Sequence, residues 1–300
     1  MPNLNAILAK SDKNQPAALD RLCELLRIKS ISADPTFADE CVQAADWLVD
    51  QLNDIGFRAS RRDTDGHPMV VAHSGGEGRH ILFYGHYDVQ PVDPLELWDH
   101  PPFDPQIEDT PNGKVIRARG SSDDKGQLMT FVEACRAWKA VTGELPGNIS
   151  IIFEGEEESA SPSLVPFLIE HADELKADFA LVCDTGLWDH DTPAITTMLR
   201  GLVAEDFTIH AANRDLHSGK YGGPAINPIR VLTRILGGLH DDTGRVTLSD
   251  FYVGVPDVPA DIKAKRDELN FDTEAFLGGV GLTTPAGEDG YTAMEQIWSR

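Results

Sequence analysis

The sequence predicts an α/β protein with a largely parallel sheet and helices on both faces, followed by part of a smaller α+β domain. Over residues 1–200, short apolar runs alternate with stretches of helical period, which is typical of parallel strands joined by crossover helices. From residue 201, "LVAEDFTIHAA" alternates apolar and polar residues and indicates a half-exposed strand. We therefore expect one domain at 1–200 and a second at 201–300.

The individual elements follow from periodicity and from the residues that end helices. Helices are predicted over 17–28 and 38–55, and Gly56 suits the C-terminus of the second. The other predicted helices are 126–140, 164–171 and 226–239. The predicted strands are 69–72, 80–84, 114–120, 148–155, 178–184, 194–199 and 202–212. Residues 241–300 are rich in Gly, Pro, Asp and Thr and have only weak periodicity.

Charge and composition exclude several classes of partner. The chain has 26 basic and 49 acidic residues, a net charge of −23, and such a field repels nucleic acid and anionic membrane surfaces. We expect no signal peptide and no membrane span, since the sequence lacks a long apolar run. The cysteines have no CxxC spacing and read as reduced core thiols of a cytoplasmic protein: Cys23, Cys41, Cys135 and Cys183.

Metal-binding residue types follow several of the predicted strands. In an open α/β sheet, ligands collect at the carboxyl ends of the strands. The residues at these ends are His86, Asp123, Asp124, Glu154, Glu156, Glu157, Glu158 and Asp184. An imidazole with carboxylates suits zinc, manganese or cobalt. The surplus of carboxylates makes two ions bridged by a shared aspartate plausible.

His86 and Asp88 lie two residues apart in "ILFYGHYDVQPVD". If the strand continues through Asp88, both side chains are on one face, because side chains alternate with period two. Asp88 can then accept the second ring N–H of His86, which fixes the tautomer and raises the basicity of the ligand.

Each of these features has a simpler explanation when taken alone. A histidine at a strand end is often a satisfied core or surface residue, and "EGEEES" is typical of a solvated turn. "SSDDKG" before a helix is most simply an N-cap with acidic first-turn residues. His217 lies in a Gly-rich loop, where a histidine without a catalytic role is common. The metal-site interpretation is favoured because the acidic and His segments fall at the same end of consecutive predicted strands.

The motifs "GHYDVQP", "RGSSDDKGQ", "EGEEES" and "LHSGKYGG" resemble the co-catalytic zinc metallopeptidase family. That family includes carnosinases, cytosolic dipeptidases, aminoacylases, acetylornithine deacetylase, succinyl-diaminopimelate desuccinylase and glutamate carboxypeptidases. The resemblance extends to about residue 238 and is greatest to the dipeptidase branch. It implies hydrolysis of the amide bond of dipeptides or related small peptides by a water activated by two metals. An N-acyl amino acid deacylase and a non-catalytic metal-binding protein remain alternatives.

The same resemblance implies a role for individual residues. His86 and Asp184 would bind one divalent ion, Glu158 the other, and Asp123 would bridge the two, with zinc expected and manganese or cobalt possible. It also implies a cis peptide bond between Asp123 and Asp124.

The catalytic roles implied by the resemblance fall on three further residues. Glu157 would be the general base, and Asp88 would orient the histidine ligand. His217 would reach the active site of the partner subunit in a homodimer and stabilise the developing oxyanion.

Family chains return from the second domain to the catalytic domain and supply a last histidine ligand there. After residue 212 this sequence has only His217 and His240, and His240 does not match that motif. We therefore expect an N-terminal fragment. Residues 1–200 would be part of the catalytic domain, and 201–300 part of a lid and dimerisation domain. The second metal site would be incomplete, and the activity of the 300-residue chain itself is doubtful.

Overall fold

The computed structural model describes residues 3–111, 113–189 and 191–298. The chain forms two compact units, Met1–Ile195 and Thr196–Arg300. The division lies close to residue 200, where the sequence changes character.

The first unit contains a central sheet and a separate hairpin. In chain order the strands are β1 (Arg58–Arg62), β2 (Met69–His73), β3 (His80–His86), β4 (Gln106–Thr110), β5 (Gly113–Arg117), β6 (Asn148–Glu154) and β7 (Phe179–Val182). The central sheet has the order β1-β2-β6-β3-β7, and β4 pairs only with β5. Strands β6, β3 and β7 run parallel, whereas β1 and β2 are antiparallel to their neighbours. The predicted α/β fold class is confirmed.

Helices cover both faces of the central sheet. They are α1 (Leu4–Leu26), α2 (Ala38–Asp54), α3 (Lys125–Thr142), α4 (Leu164–Glu170) and α5 (Ala172–Leu175). Alternate residues of β2, β3 and β6 enter different cores, as the period of two requires. Val70 and Ala72 of β2 belong to the cluster formed with α1, α2 and α3. Met69 and Val71 belong to the cluster with α4 and α5 on the opposite face.

Aromatic packing fixes α3 over β3. The ring of Phe83 in β3 stacks on Phe131 of α3 with centroids 3.8 Å apart, and meets Phe153 of β6 edge-on. Phe83 and Phe153 are fully buried, and burial of such a side chain stabilises the fold by about 1.5–3 kcal/mol. The packing sets the start of α3, where Asp123 lies, near the end of β3, where His86 lies.

The predicted strand at 114–120 forms as β5, but it belongs to the hairpin rather than to the central sheet. The two strands predicted between residues 194 and 212 were wrong. Residues 194–199 and 202–212 are irregular in the structure and largely exposed. Alternation of apolar residues shows which face a strand would bury, but it supplies no partner for the backbone hydrogen bonds. Strands β1 and β4 were not predicted.

In the part of the second unit that the structure describes, short helices are joined by irregular segments. Its helices are α6 (Ser218–Tyr221), α7 (Pro228–Leu236), α8 (Ala260–Asp267), α9 (Thr273–Gly278) and α10 (Ala293–Trp298). Asn227 caps α7 by accepting hydrogen bonds from the N–H groups of Ile229 and Arg230. Among the described residues, we find no helix whose length and hydropathy would let it cross a bilayer.

Candidate metal and catalytic site

Three segments of the first unit meet at the carboxyl end of β3. His86 is the last residue of this strand, Asp123 precedes α3, and Asp184 follows β7. The Nε2 atom of His86 lies 3.2 Å from Oδ1 of Asp123 and 3.7 Å from Oδ2 of Asp184. Ligand atoms of the three residues all lie within 4.8 Å of one another. Glu157 joins them from the segment after β6, with Oε2 3.9 Å from the same Nε2.

This group of side chains fits a divalent transition metal. It offers one imidazole nitrogen and carboxylate oxygens, the donors that zinc accepts. His86 is fully buried at the base, whereas the side chains of Asp123 and Asp184 are 63% and 32% exposed. The donors therefore line an open position that a substrate could reach.

Glu158 lies beside this group, but its carboxylate is hydrogen-bonded to a residue outside it. Its Oε2 accepts a hydrogen bond of 2.6 Å from Nε2 of Gln90. Gln90 was not among the predicted site residues, although it stands two positions after Asp88 in the same motif. A glutamine at that point gives no signal by itself, because its partner is set by how two loops meet.

The carboxylate of Asp88 connects the site residues to one another. It is fully buried. Its Oδ1 lies 3.3 Å from Nδ1 of His86. The same carboxylate accepts hydrogen bonds from the backbone N–H groups of Glu157 and Glu158, at 3.2 and 3.0 Å. Nδ1 of His86 also lies 3.2 Å from the backbone carbonyl oxygen of Asp88. A proton on Nδ1 facing these two oxygens of Asp88 directs the Nε2 atom toward Asp123 and Asp184, as a metal ligand requires.

Electrostatics distinguish the histidine from the glutamate beside it. Burial lowers the pKa of His86, but the hydrogen bond and charge of Asp88, with Asp124 and Glu157, outweigh it and raise this pKa to about 10. Burial raises the pKa of Glu157, His86 opposes that shift, and Asp184 adds to it. A carboxylate with a raised pKa accepts a proton more readily near neutral pH.

The side chain of Asp124 binds the backbone at the end of β3. The Asp123–Asp124 peptide bond is cis, as the resemblance implies. Oδ2 of Asp124 accepts a hydrogen bond of 3.0 Å from the N–H of His86. A Cβ atom at Gly85 would lie 2.8 Å from that oxygen, so only glycine leaves room for the contact. Burial raises the pKa of Asp124 to about 7, although the hydrogen bond from His86 opposes this.

The acidic run after β6 divides into structural and site residues. Glu154 is buried and accepts hydrogen bonds from the hydroxyls of Tyr84 and Ser161. The buried carboxylate of Glu156 accepts from the N–H groups of His67 and Ser163. Both therefore hold loops together. The following residues, 157 and 158, point toward the candidate site.

The structure places His217 in the second unit, directly before α6, with an exposed side chain. Its role, like the ligand and base roles of the other residues, stays a prediction.

The sequence is similar to a known protein family and to several named proteins. Residues 82–297 match the family described as Peptidase family M20/M25/M40. The chain is 27% identical over 310 residues to "Cys-Gly metallodipeptidase dug1" of Schizosaccharomyces pombe, covering 99% of this chain and 64% of that protein. It is 30% identical over 267 residues to the human "Beta-Ala-His dipeptidase", covering 83% of this chain and 52% of that protein.

A solved structure shows the same fold. The dipeptidase Dug1p of Saccharomyces cerevisiae superimposes with a TM-score of 0.76 at 25% identity, covering 96% of this chain and 63% of that chain. The chain thus spans less than two thirds of the length of these relatives.

The contacts of Asp88 predict the effect of Asp88→Asn. An amide keeps the shape but offers one acceptor oxygen, so a backbone N–H of Glu157 or Glu158 loses its partner and His86 loses a neighbouring charge. We expect the free energy of unfolding of the metal-free chain to fall by about 1–3 kcal/mol and the affinity for zinc to fall at least about tenfold. Urea denaturation and competition with a chromophoric chelator measure the two.

Asp46→Asn is the matched control for this substitution, since Asp46 pairs with Arg61 at the surface, where an ion pair contributes about 0–1 kcal/mol. If Asp88→Asn behaves like this control in both measurements, Asp88 does not hold the site together.

Proposed function

Since this chain belongs to Peptidase family M20/M25/M40, we propose that it hydrolyses the amide bond of dipeptides or related small peptides with the help of divalent metal ions. The observation that carries the proposal is the group formed by His86, Asp123 and Asp184, with Glu157 beside it. We propose zinc as the native metal and two ions per site, with manganese and cobalt as alternatives.

Dipeptides are the favoured substrate class because of the relatives. They include "Cys-Gly metallodipeptidase", "Beta-Ala-His dipeptidase" and "Cysteinylglycine-S-conjugate dipeptidase". N-acyl amino acid deacylation requires the same ligands and differs in the shape of the pocket, so it is the alternative that the substrate test must exclude.

In the proposed site, His86 and Asp184 would hold one ion, Glu158 would hold the other, and Asp123 would contribute to both. The chemistry that bound divalent ions supply is polarisation of the scissile carbonyl and a lower pKa for the attacking water. Asp88 keeps the ring of His86 in the ligating tautomer through the contact at Nδ1.

Glu157 moves the proton in the proposed reaction. Its carboxylate takes a proton from water as the water oxygen bonds to the carbonyl carbon. It then gives this proton to the amine nitrogen as the C–N bond breaks. The backbone of Glu157 is held by Asp88, so the carboxylate is carried on an anchored turn while its own side chain remains 39% exposed.

The proposal extends to the assembly and the compartment. We propose a homodimer in which His217 serves the partner subunit's site, supported by the resemblance of "LHSGKYGG" and by the exposure of this side chain. A cytoplasmic location is supported by the cysteines, all four of which are free thiols.

The substrate test uses the full-length protein, supplied with zinc, manganese or cobalt. Cys-Gly and β-Ala-His are offered beside N-acetyl amino acids, and release of free amino acid is measured. We expect hydrolysis of the dipeptides, loss of activity with a chelator, and recovery when metal is restored. Faster turnover of the N-acetyl compounds would select the deacylase alternative. Activity that resists the chelator would reject a metal-dependent reaction.

The base assignment is tested with Glu157→Gln. Because the amide cannot accept the proton, we expect kcat to fall by at least about 10²–10⁴-fold, while the metal content measured by mass spectrometry stays near that of the wild type. Glu158→Gln is the matched control and should lose metal as well as activity. If Glu157→Gln loses metal in parallel with activity, Glu157 is a ligand and the assignment is wrong.

A further inference from the structure

We propose that Lys125 is a positioning residue for the metal site. Its buried amino group connects the loop that carries Asp123 to the chain that follows α1. That chain is in turn bound to the segment that carries His86 and Asp88. The inference rests on the proposed metal-dependent function and assigns to that site a residue that lies outside the ligand group.

Lys125 is the first residue of α3, and its side chain is fully buried. Its Nζ atom donates hydrogen bonds to the backbone carbonyls of Leu25 and Ile28, at 3.1 and 2.7 Å. Burial lowers the pKa of this amino group to about 7, and both its neutral and its charged form have N–H donors for the two carbonyls. A buried polar group is costly unless it is hydrogen-bonded, and carbonyls at the C-terminal end of a helix carry partial negative charge. The lysine therefore fixes the end of α1 relative to the start of α3.

The chain directly after α1 is in turn bound to the segment after β3. The hydroxyl of Ser30 donates to the carbonyl of Tyr87 at 2.6 Å, and the carbonyl of Ser30 accepts from the N–H of Val89 at 2.9 Å. Ile31 and Val89 also form a parallel bridge. Asp88 lies between Tyr87 and Val89, the two residues that are hydrogen-bonded to Ser30. A displacement of residues 28–31 would therefore displace Asp88 as well.

A third contact connects Lys125 and Val89 directly to the loop that leads to Asp123. Gly120 has φ of +82°, and a Cβ atom there would lie 2.8 Å from Cγ1 of Val89 and 3.3 Å from Cδ of Lys125. Both side chains thus pack on the backbone of Gly120. The N–H of Gly126 donates to the Gly120 carbonyl at 3.3 Å, which closes the loop around the residues between them.

Together these contacts connect the two segments that carry the candidate site. One segment carries Asp123, the other carries His86, and the two meet at 3.2 Å. Loss of this amino group leaves the Leu25 and Ile28 carbonyls with their backbone donors, the N–H groups of Ile28 and Ser30, but removes the two hydrogen bonds that join the end of α1 to the start of α3. A side chain that only fills the core would change stability without changing the spacing of the ligands.

The test compares metal binding by Lys125→Met, Ser30→Ala and the double variant in the full chain. Competition with a chromophoric chelator gives the dissociation constant for zinc, and the visible spectrum of the cobalt-loaded protein reports coordination geometry. We expect Lys125→Met to weaken zinc binding at least about tenfold and to alter the cobalt spectrum. Ser30→Ala should act in the same direction, and the double variant should lose less than the product of the single losses, since both act through one segment.

Leu175→Ala is the control for stability alone, because Leu175 is buried in the cluster on the opposite face of the sheet. It should lower the melting temperature while leaving zinc affinity and the cobalt spectrum unchanged. Zinc binding by Lys125→Met equal to that of this control overturns the proposal. If Lys125→Met does not fold, unchanged affinity in Ser30→Ala overturns it instead. A wild-type chain that binds no metal would refute the proposed function, which is a separate outcome.

Discussion

The candidate site depends on the buried carboxylate of Asp88. Its three contacts are the ring of His86 and the backbone N–H groups of Glu157 and Glu158. A buried carboxylate is stable only when donors surround it, and here each donor belongs to a residue of the site. Satisfying this one charge therefore brings together the segments after β3 and β6, which are far apart in sequence. The arrangement makes assembly of the site a condition of folding in this part of the protein.

The sheet brings these segments to the same place because β3 and β6 are parallel and in register, with His86 opposite Glu154. Their following residues leave at the same edge, and Asp184 arrives there after β7. Periodicity predicted these strands and the helices α2, α3 and α4. The signal is clearest in α2 and α3, which bury apolar residues at helical spacing, and in β6, which is buried along most of its length. It could not place β5, because a strand sequence does not say which sheet will accept its hydrogen bonds. For the same reason the expected strands at 194–199 and 202–212 were wrong.

Site residues whose position is set by a strand could be predicted from the sequence. Those whose position is set by a loop were harder to predict. His86 ends β3 and was predicted from that placement. Asp88 lies beyond the last residue of β3, but the chain makes no turn there and Val89 forms a bridge to Ile31. The ring contact predicted from the period of two is therefore present although the strand itself has ended. Nor could the sequence separate the loop-holding Glu156 from the site residue Glu157, because the difference lies in how a tight turn directs two adjacent side chains. Lys125 gave no signal, since its partners are backbone carbonyls.

The most direct measurement is anomalous X-ray diffraction from crystals of the zinc-loaded chain. Our account predicts a strong anomalous peak within bonding distance of Nε2 of His86 and of the carboxylates of Asp123 and Asp184. It also predicts that Asp88 still accepts hydrogen bonds from the backbone of Glu157 and Glu158. A peak bound by other residues, or an Asp88 carboxylate that has left those N–H groups, would contradict the claim that this buried charge assembles the metal site.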